Sequence, residues 1–566
     1  MRLNDYFKFF RYGLVLSGLL MLCQAADAVP ARPGVRRDLT LADGTVVNAL
    51  LVGDEYGHYW LGEDGKGYRS NGSIYEEIDV QSVQRSARRQ RAEANSRREQ
   101  RLSGNRAAKR ASDGYIGKKK GLIILVNFSD VAFQKGHDKS LYQRIANEKG
   151  FSDGKFKGSV YDYFYDQSDG KFELTFDVVG PVTVSREQAY YGENFGTDNA
   201  DRHAAEMIIE ALKLADDSVD YSKYDWNKDH RVDQVFVVYA GQNEAEGGAS
   251  YCIWPHEWTL YSANIAYGDG SGGQFMDGVL IDTYACGSEL SFSNELAGIG
   301  TICHEFSHCL GYPDFYDTDY SGGQGMYEWD IMDSGSYNGD GFKPAGYTSY
   351  ERWVAGWKTP IELTDTTYVE SMKALQDGGE TYVIYNKGNR NEYYLLENRQ
   401  RIKWDAGVPG AGLLILHVDY NDSIWDDNSP NDDPNHQRMT WIPADNEYQH
   451  VKYGDEEYLS HAGAAKDPFP YDTINAFNRN TTPSATFYNA NADGTYYMDA
   501  SVEDIKRNPD GTVSFSFIPY KANETSVSVT RIAEQDDVWY DLTGRRLKGA
   551  PTSPGIYIKS GRKIVL

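Results

Sequence analysis

A chain of 566 residues is too long for one hydrophobic core, so several domains are expected. The formal charge of −26 is spread through the body of the protein, which argues against nucleic acid as a partner. Beyond the N-terminus no stretch of 18 consecutive apolar residues occurs, so no transmembrane segment is expected.

Arg2, Lys8 and Arg11 precede an apolar run from Gly13 to Leu22, and Ala26-Asp27-Ala28 offers the small residues of a cleavage site. Residues 1–28 therefore read as a secretory signal peptide, with a secreted or extracellular mature chain starting at Val29. Leu22 is bulky where a lipoprotein signal has a small residue before Cys23.

Residues 29–118 read as a small β-rich module. Leu39-Thr40-Leu41 and Thr45-Val46-Val47 flank the turn Asp43-Gly44, and Tyr59-Trp60-Leu61 follows. The module ends in a basic connector, Arg85–Arg110, with ten basic and two acidic residues, which suits an exposed site for proteolysis. This order predicts a prosegment and hence a zymogen; a permanent accessory domain is the alternative. Asp54, Glu55 and His58 are its candidates for covering a metal. No cysteine lies between Val29 and Tyr251, so a prosegment thiol cannot serve.

In residues 119–360, Gly121–Phe128 reads as a buried strand, Ser159–Ser168 as a helix, and Phe172–Val184 as a pair of strands. Asn199–Asp217 has helical apolar spacing, Val232–Ala240 is a strand, and Ser293–Leu310 carries a further helix. Residues 361–520 turn to short strands, as at Glu392–Glu397, Gly412–Tyr420 and Val513–Ile518, and predict an all-β sandwich. Residues 521–566 form a β-rich tail.

Chemistry concentrates in His304-Glu305-Phe306-Ser307-His308-Cys309-Leu310-Gly311-Tyr312-Pro313-Asp314. Histidines at i and i+4 share one helix face and can share a Zn2+ ion, with Glu305 beside them as general base. Gly311 can take the positive φ that ends a helix, and Pro313 prevents its resumption. The returning chain can deliver Asp314 as third ligand, with Asp317, Asp319 and Glu351 as competitors. In the oxygen-rich loop Asp225-Trp226-Asn227-Lys228-Asp229-His230-Arg231-Val232-Asp233, the residues Asp225, Asn227, Asp229, Arg231 and Asp233 stand at the ligand positions of a Ca2+ loop. His230 replaces the usual glycine there, and Phe236 stands where a bidentate glutamate belongs. A plain polar turn is the alternative. Asp426, Asp427, Asn431, Asp432 and Asp433 read as a solvated acidic loop, and His417, inside an apolar strand, as a satisfied core histidine. Cys252 and Cys286 could pair, whereas Cys303 and Cys309 point to different helix faces.

The zinc motif, the segment Gly325-Met326-Tyr327-Glu328-Trp329-Asp330-Ile331-Met332-Asp333-Ser334-Gly335-Ser336, the tripeptide Trp254-Pro255-His256 and the strand Gly412–Tyr420 together resemble the secreted zinc metallopeptidases of the immune inhibitor A family, over roughly residues 119–520. The resemblance implies an α+β, zincin-type (metzincin-like) catalytic domain, protein or peptide substrates, and Met332 as a hydrophobic floor beneath the metal. No tyrosine directly after Met332 matches the metzincin oxyanion helper; Tyr337, Tyr347 and His256 stay open for that role. The tail, with Tyr540-Asp541-Leu542-Thr543-Gly544 and Gly555-Ile556-Tyr557, resembles Bacteroidetes type IX sorting domains, or is one more hairpin module. The expectation is a secreted zinc endopeptidase. A degenerate β-rich binding protein, and a metal-dependent hydrolase of a non-protein amide, are the alternatives.

Overall fold

The computed structural model describes residues 28–72, 74–89, 115–194, 201–268, 270–447, 449–453, 456–460, 463–520, 539–541, 547–553, 555–559 and 562–565. Residues 1–27 of the expected signal peptide, residues 90–110 of the basic connector and the segment Leu542–Gly544 of the tail lie outside the described residues. The architecture is mixed α/β with several sheets, in two compact units, Met1–Pro519 and Tyr520–Leu566.

The N-terminal strands β1 (Arg36–Thr40), β2 (Val46–Asp54), β3 (Gly57–Gly62), β4 (Gly67–Asn71) and β5 (Ile74–Ile78) form an antiparallel meander in that order. The Asp43-Gly44 turn closes its first hairpin, with Asp43 accepting from the Thr45 N–H at 2.8 Å. Leu39, Ala49, Leu51, Trp60 and Tyr68 make its small core.

The central sheet contains β6 (Gly117–Asn127), β7 (Phe172–Thr183), β8 (Val235–Gln242), β9 (His256–Thr259) and β12 (Thr283–Leu290), in the order β7-β6-β8-β12-β9. All pairs are parallel except the edge strand β9, which runs antiparallel to β12. Phe172–Val184 is thus one long strand instead of the expected pair: its residues pair continuously with β6, with a single register shift absorbing the irregularity. The hairpin β10 (Gln274–Met276) and β11 (Val279–Ile281) precedes β12.

Period-two alternation divides the sheet between two cores. Leu122, Ile124, Val126, Val235, Val237 and Tyr239 face helix α3 (Ala204–Ala215). Ile123, Leu125, Phe176, Val178, Phe236 and Val238 face α2 (Val160–Gln167) and α5 (Gly300–Cys309), helices numbered after α1 (Lys139–Asn147) and with α4 at Leu260–Tyr267. A Ser159–Asp162 capping box starts α2. Phe306 of α5 meets Phe164 and Phe176 edge to face at 5.7 and 5.3 Å, and burying each such ring contributes about 1.5–3 kcal/mol. That packing fixes the roll of α5 and hence the direction of its histidines. The helix begins only at Gly300, so the segment Ser293–Ile299 is not helical as expected. A Cβ at Gly300 would meet the Ser336 carbonyl at 1.9 Å, so only glycine lets the helix start so close to that loop.

After α6 (Ser349–Val354), the strands β13 (Ile361–Glu362), β15 (Tyr382–Tyr385), β16 (Glu392–Arg399), β17 (Gly412–Asp419) and β18 (Met439–Trp441) make one sheet. A second holds β14 (Thr367–Met372), β22 (Val513–Pro519) and β21 (Ala500–Arg507), while β19 (Gln449–Tyr453) and β20 (Glu456–Ser460) pair separately. Tyr394, Leu396, Leu413 and Ile415 of the first sheet share one core with Val502, Val513, Phe515 and Phe517 of the second. In the C-terminal unit, β23 (Trp539–Tyr540), β24 (Ile556–Lys559) and β25 (Arg562–Val565) form an antiparallel sheet.

Candidate active site

His304 and His308 project from the buried helix α5, and their ring positions are set through Nδ1. His304 Nδ1 donates to the Ile331 carbonyl at 2.6 Å and His308 Nδ1 to the Tyr312 carbonyl at 2.8 Å. A carbonyl can only accept, so both rings carry the proton on Nδ1 and turn the Nε2 lone pair inward. The chain ends the helix at Gly311 with φ of 89° and returns as expected, bringing Asp314 to the same point. Asp314 Oδ1 lies 3.1 Å from His304 Nε2 and 3.6 Å from His308 Nε2. Two lone pairs and a carboxylate oxygen, all buried, therefore face one another, and His304 Nε2 and Asp314 Oδ1 make no hydrogen bond. Such a donor set, two imidazole nitrogens and a carboxylate oxygen, fits a divalent cation. The Glu305 carboxylate comes within 4.8 Å of both imidazoles.

Asp314 is held by Asn428, which accepts from its backbone N–H at 2.6 Å and donates Nδ2–H to Oδ2 at 2.7 Å. That grip leaves Oδ1 aimed at the histidines. Met332 is fully buried, and its carbonyl accepts from Phe315 N–H at 2.8 Å. Asp330, two residues earlier, accepts from Met332 N–H at 2.9 Å, and its carboxyl interacts electrostatically with that of Glu351. Burial first, and the Glu351 charge second, push the Asp330 carboxyl well above the usual range. Glu351, one of the competing ligands, instead caps α6 through Thr348 and is committed there.

The N-terminal segment enters this site. Val29 donates its backbone N–H to Glu305 Oε1 at 3.0 Å, and its carbonyl accepts from Trp254 Nε1 at 2.9 Å. The Tyr316 hydroxyl donates to the Ala28 carbonyl at 2.9 Å and Tyr337 to the Pro30 carbonyl at 2.8 Å. Burial, and then the Asp314 charge, push the Tyr316 phenol up, which keeps its proton in place for donation. Of Asp54, Glu55 and His58, singled out in the sequence, His58 stacks on Trp254 and meets Glu244 at 3.0 Å, and Asp54 accepts from the Tyr56 and Gly57 N–H groups. It is Val29 that reaches Glu305, while Ala28 reaches Tyr316. Neither they nor Tyr316 nor Asn428 carried a motif, because each acts through a contact far away in sequence.

The remaining candidates occupy other positions. Tyr347 pairs its hydroxyl with Ser307 in the core, and His256 donates Nδ1–H to Trp254 at 2.7 Å and faces Tyr284 at 3.0 Å. Burial pushes His256 down to about 4, so it is neutral. Cys252 and Cys286 are not joined; the Cys286 thiol sits 3.6 Å from His256 Nδ1. His417 pairs with Glu392 at 2.9 Å, a satisfied core histidine as read. In the 225–233 loop, Asp225 and Asn227 accept from Asp229 N–H, Asp229 from Arg231 N–H, and Asp233 from Trp226 N–H, so these side chains brace the loop's own backbone. Among the described residues the acidic side chains that come together are instead Asp317, Asp319 and Asp432. Asp317 accepts from the Gly322 and Gly323 N–H groups, and Asp319 is paired with Arg88 at 2.9 Å.

Comparison with known proteins agrees with this geometry. Residues 107–357 match the family model described as immune inhibitor A peptidase M6, catalytic domain. Pre-pro-metalloprotease PrtV of Vibrio cholerae serotype O1 is 28% identical over 277 residues, covering 42% of this chain and 30% of that protein. Immune inhibitor A of Bacillus thuringiensis subsp. alesti is 26% identical over 313 residues, covering 45% of this chain and 43% of that protein. The chain thus spans less than half the length of either relative. Residues 107–357 are similar to the catalytic domain of the immune inhibitor A peptidases M6.

Proposed function

We propose that this chain is a secreted zinc-dependent endopeptidase made as a zymogen. The observation that carries the reading is the convergence of His304 Nε2, His308 Nε2 and Asp314 Oδ1 beside Glu305, with a peptide amide hydrogen-bonded to that glutamate. His304, His308 and Asp314 would hold the zinc, whose Lewis acidity brings the pKa of a water toward about 7. Glu305 takes the proton of the attacking water and passes it to the leaving nitrogen, the position Val29 N now occupies. Tyr316 donates to the oxygen that gains charge, the position of the Ala28 carbonyl.

The zymogen reading draws support from the same contacts. With residues 1–28 as the signal peptide, 29–118 serve as prosegment, 119–360 as catalytic domain, 361–520 as β-sandwich domain and 521–566 as a tail. The prosegment's first residues fill the cleft, so removal through the basic connector opens it. Tyr316, Trp254 and Tyr337 bond the consecutive main-chain carbonyls of Ala28, Val29 and Pro30, which favours a peptide substrate over a non-protein amide. An intact Glu305 argues against a degenerate binding protein.

Casein digestion tests the reading. Full-length chain trimmed by limited proteolysis should degrade casein, lose activity in a chelator and regain it with zinc. The Glu305→Gln protein should be folded by circular dichroism and inactive by at least about a thousandfold, since both proton transfers are lost. Full activity of that variant would overturn the mechanism.

A further inference from the structure

Arg32 extends the line of contacts that begins at the catalytic glutamate. Its backbone N–H donates to the Ala245 carbonyl at 2.9 Å. Its guanidinium donates to Glu246 Oε2 at 2.8 Å and to Asp340 Oδ1 at 2.5 Å. It also lies 5.7 Å from the ring of Phe292 and 5.9 Å from that of Tyr337. A carboxylate fork flanked by aromatic rings is a guanidinium site by its chemistry.

The pocket is built by the catalytic region without help from the prosegment. Glu246 accepts from the Phe292 N–H at 3.2 Å and from Asn243 Nδ2 at 3.3 Å, while its own N–H donates to Asn243 Oδ1 at 2.8 Å. With Arg32 seated on it the Glu246 side chain is 7% exposed, so the guanidinium and the carboxylate cover one another. From Ala28 to Arg32 the segment is read like a substrate. Tyr316 takes the carbonyl before the scissile position, Glu305 the nitrogen after it, Trp254 and Tyr337 the next two carbonyls, and the acidic pocket the fourth side chain.

We propose that Glu246, Asp340, Phe292 and Tyr337 form a substrate subsite for an arginine or lysine side chain, four residues beyond the scissile bond on the leaving-amine side. The prosegment occupies it with Arg32, and removal of the prosegment frees it for substrate. The inference rests on the peptidase reading above for its catalytic consequence, but the pocket's affinity for a basic side chain does not.

Two measurements test it on full-length chain trimmed by limited proteolysis. In the first, four peptides identical except for Arg, Lys, Ala or Glu at the fourth position after the cleaved bond are compared, with products located by mass spectrometry. The basic pair should exceed the alanine peptide about tenfold in kcat/KM, as one charge-assisted bond in a part-buried site provides, with the glutamate peptide slowest. Glu246→Gln should reduce the arginine-to-alanine ratio below about threefold, and Asp340→Asn, at an exposed position, should reduce it less. Equal rates for all four peptides, or an unchanged ratio in Glu246→Gln, overturn the proposal. In the second, binding of the tetrapeptides Val-Pro-Ala-Arg and Val-Pro-Ala-Ala is measured by calorimetry. About tenfold tighter binding of the arginine peptide is expected, and equal affinity overturns the subsite even if no peptide is cleaved, the result that would instead sink the peptidase reading.

Discussion

Val29 N–H donates to Glu305 Oε1 across 276 residues of sequence, so the group assigned as general base is already engaged by the chain's own N-terminal segment. A base bonded to a main-chain amide, with Trp254 and Tyr316 holding the neighbouring carbonyls, has no room for a substrate at the same point. On the proposed zymogen reading, this occupancy of the cleft would account for latency.

Reversing one anchoring charge should weaken that occupancy. Arg32→Glu sets a third carboxylate against Glu246 and Asp340, and like charges in a part-buried site cost several kcal/mol. Untrimmed Arg32→Glu chain should therefore cleave a small fluorogenic peptide several times faster than untrimmed wild type. Equal rates would mean that the segment does not limit access.

The Asp314–Asn428 pair predicts a graded loss of metal. Asn428→Ala removes both bonds that orient the carboxylate and should weaken zinc binding about 10- to 100-fold, the usual effect of losing an outer-shell partner. Asp314→Ala should weaken it further. Zinc content after dialysis against graded chelator buffers reads both, and unchanged stoichiometry and affinity in Asp314→Ala would reassign the third ligand.

Tyr316→Phe removes one hydroxyl whose bond goes to the carbonyl at the scissile position. The trimmed enzyme should lose about a hundredfold in kcat with KM within about twofold, because the donor matters most as charge develops. An unchanged kcat would leave Tyr316 as a ground-state contact only.

His256 gives a pH prediction. Burial lowers its pKa from 6.5 to about 4, so the unfolded chain binds a proton that the folded chain refuses. The contribution to stability is present above about 6.5 and is lost as pH falls through that window toward 4, roughly 2 kcal/mol between pH 7 and pH 5. Urea unfolding of wild type and His256→Gln at the two pH values checks this. The wild type should lose about 2 kcal/mol more than the variant on acidification, and parallel losses would refute the assignment.

The sequence by itself determined the local geometry of the site. Histidines four apart on a helix must share a face, a glycine followed by proline must turn the chain, and the methionine after Trp329 had to be core. The strands were legible wherever apolar residues alternated or ran without a break, as in β6. The tertiary structure alone decided what completes the site. Asn428 reaches Asp314 over 114 residues, Glu351 turns away to cap its own helix, and the loop of Asp225 closes on its backbone. Ala28 and Val29, which read as the two sides of a signal-peptide cleavage site, contact Tyr316 and Glu305. The physical reason is that periodicity and turn chemistry encode contacts within a few residues. A hydrogen bond across hundreds of residues exists only once separate elements have packed, and no spacing in the chain records it.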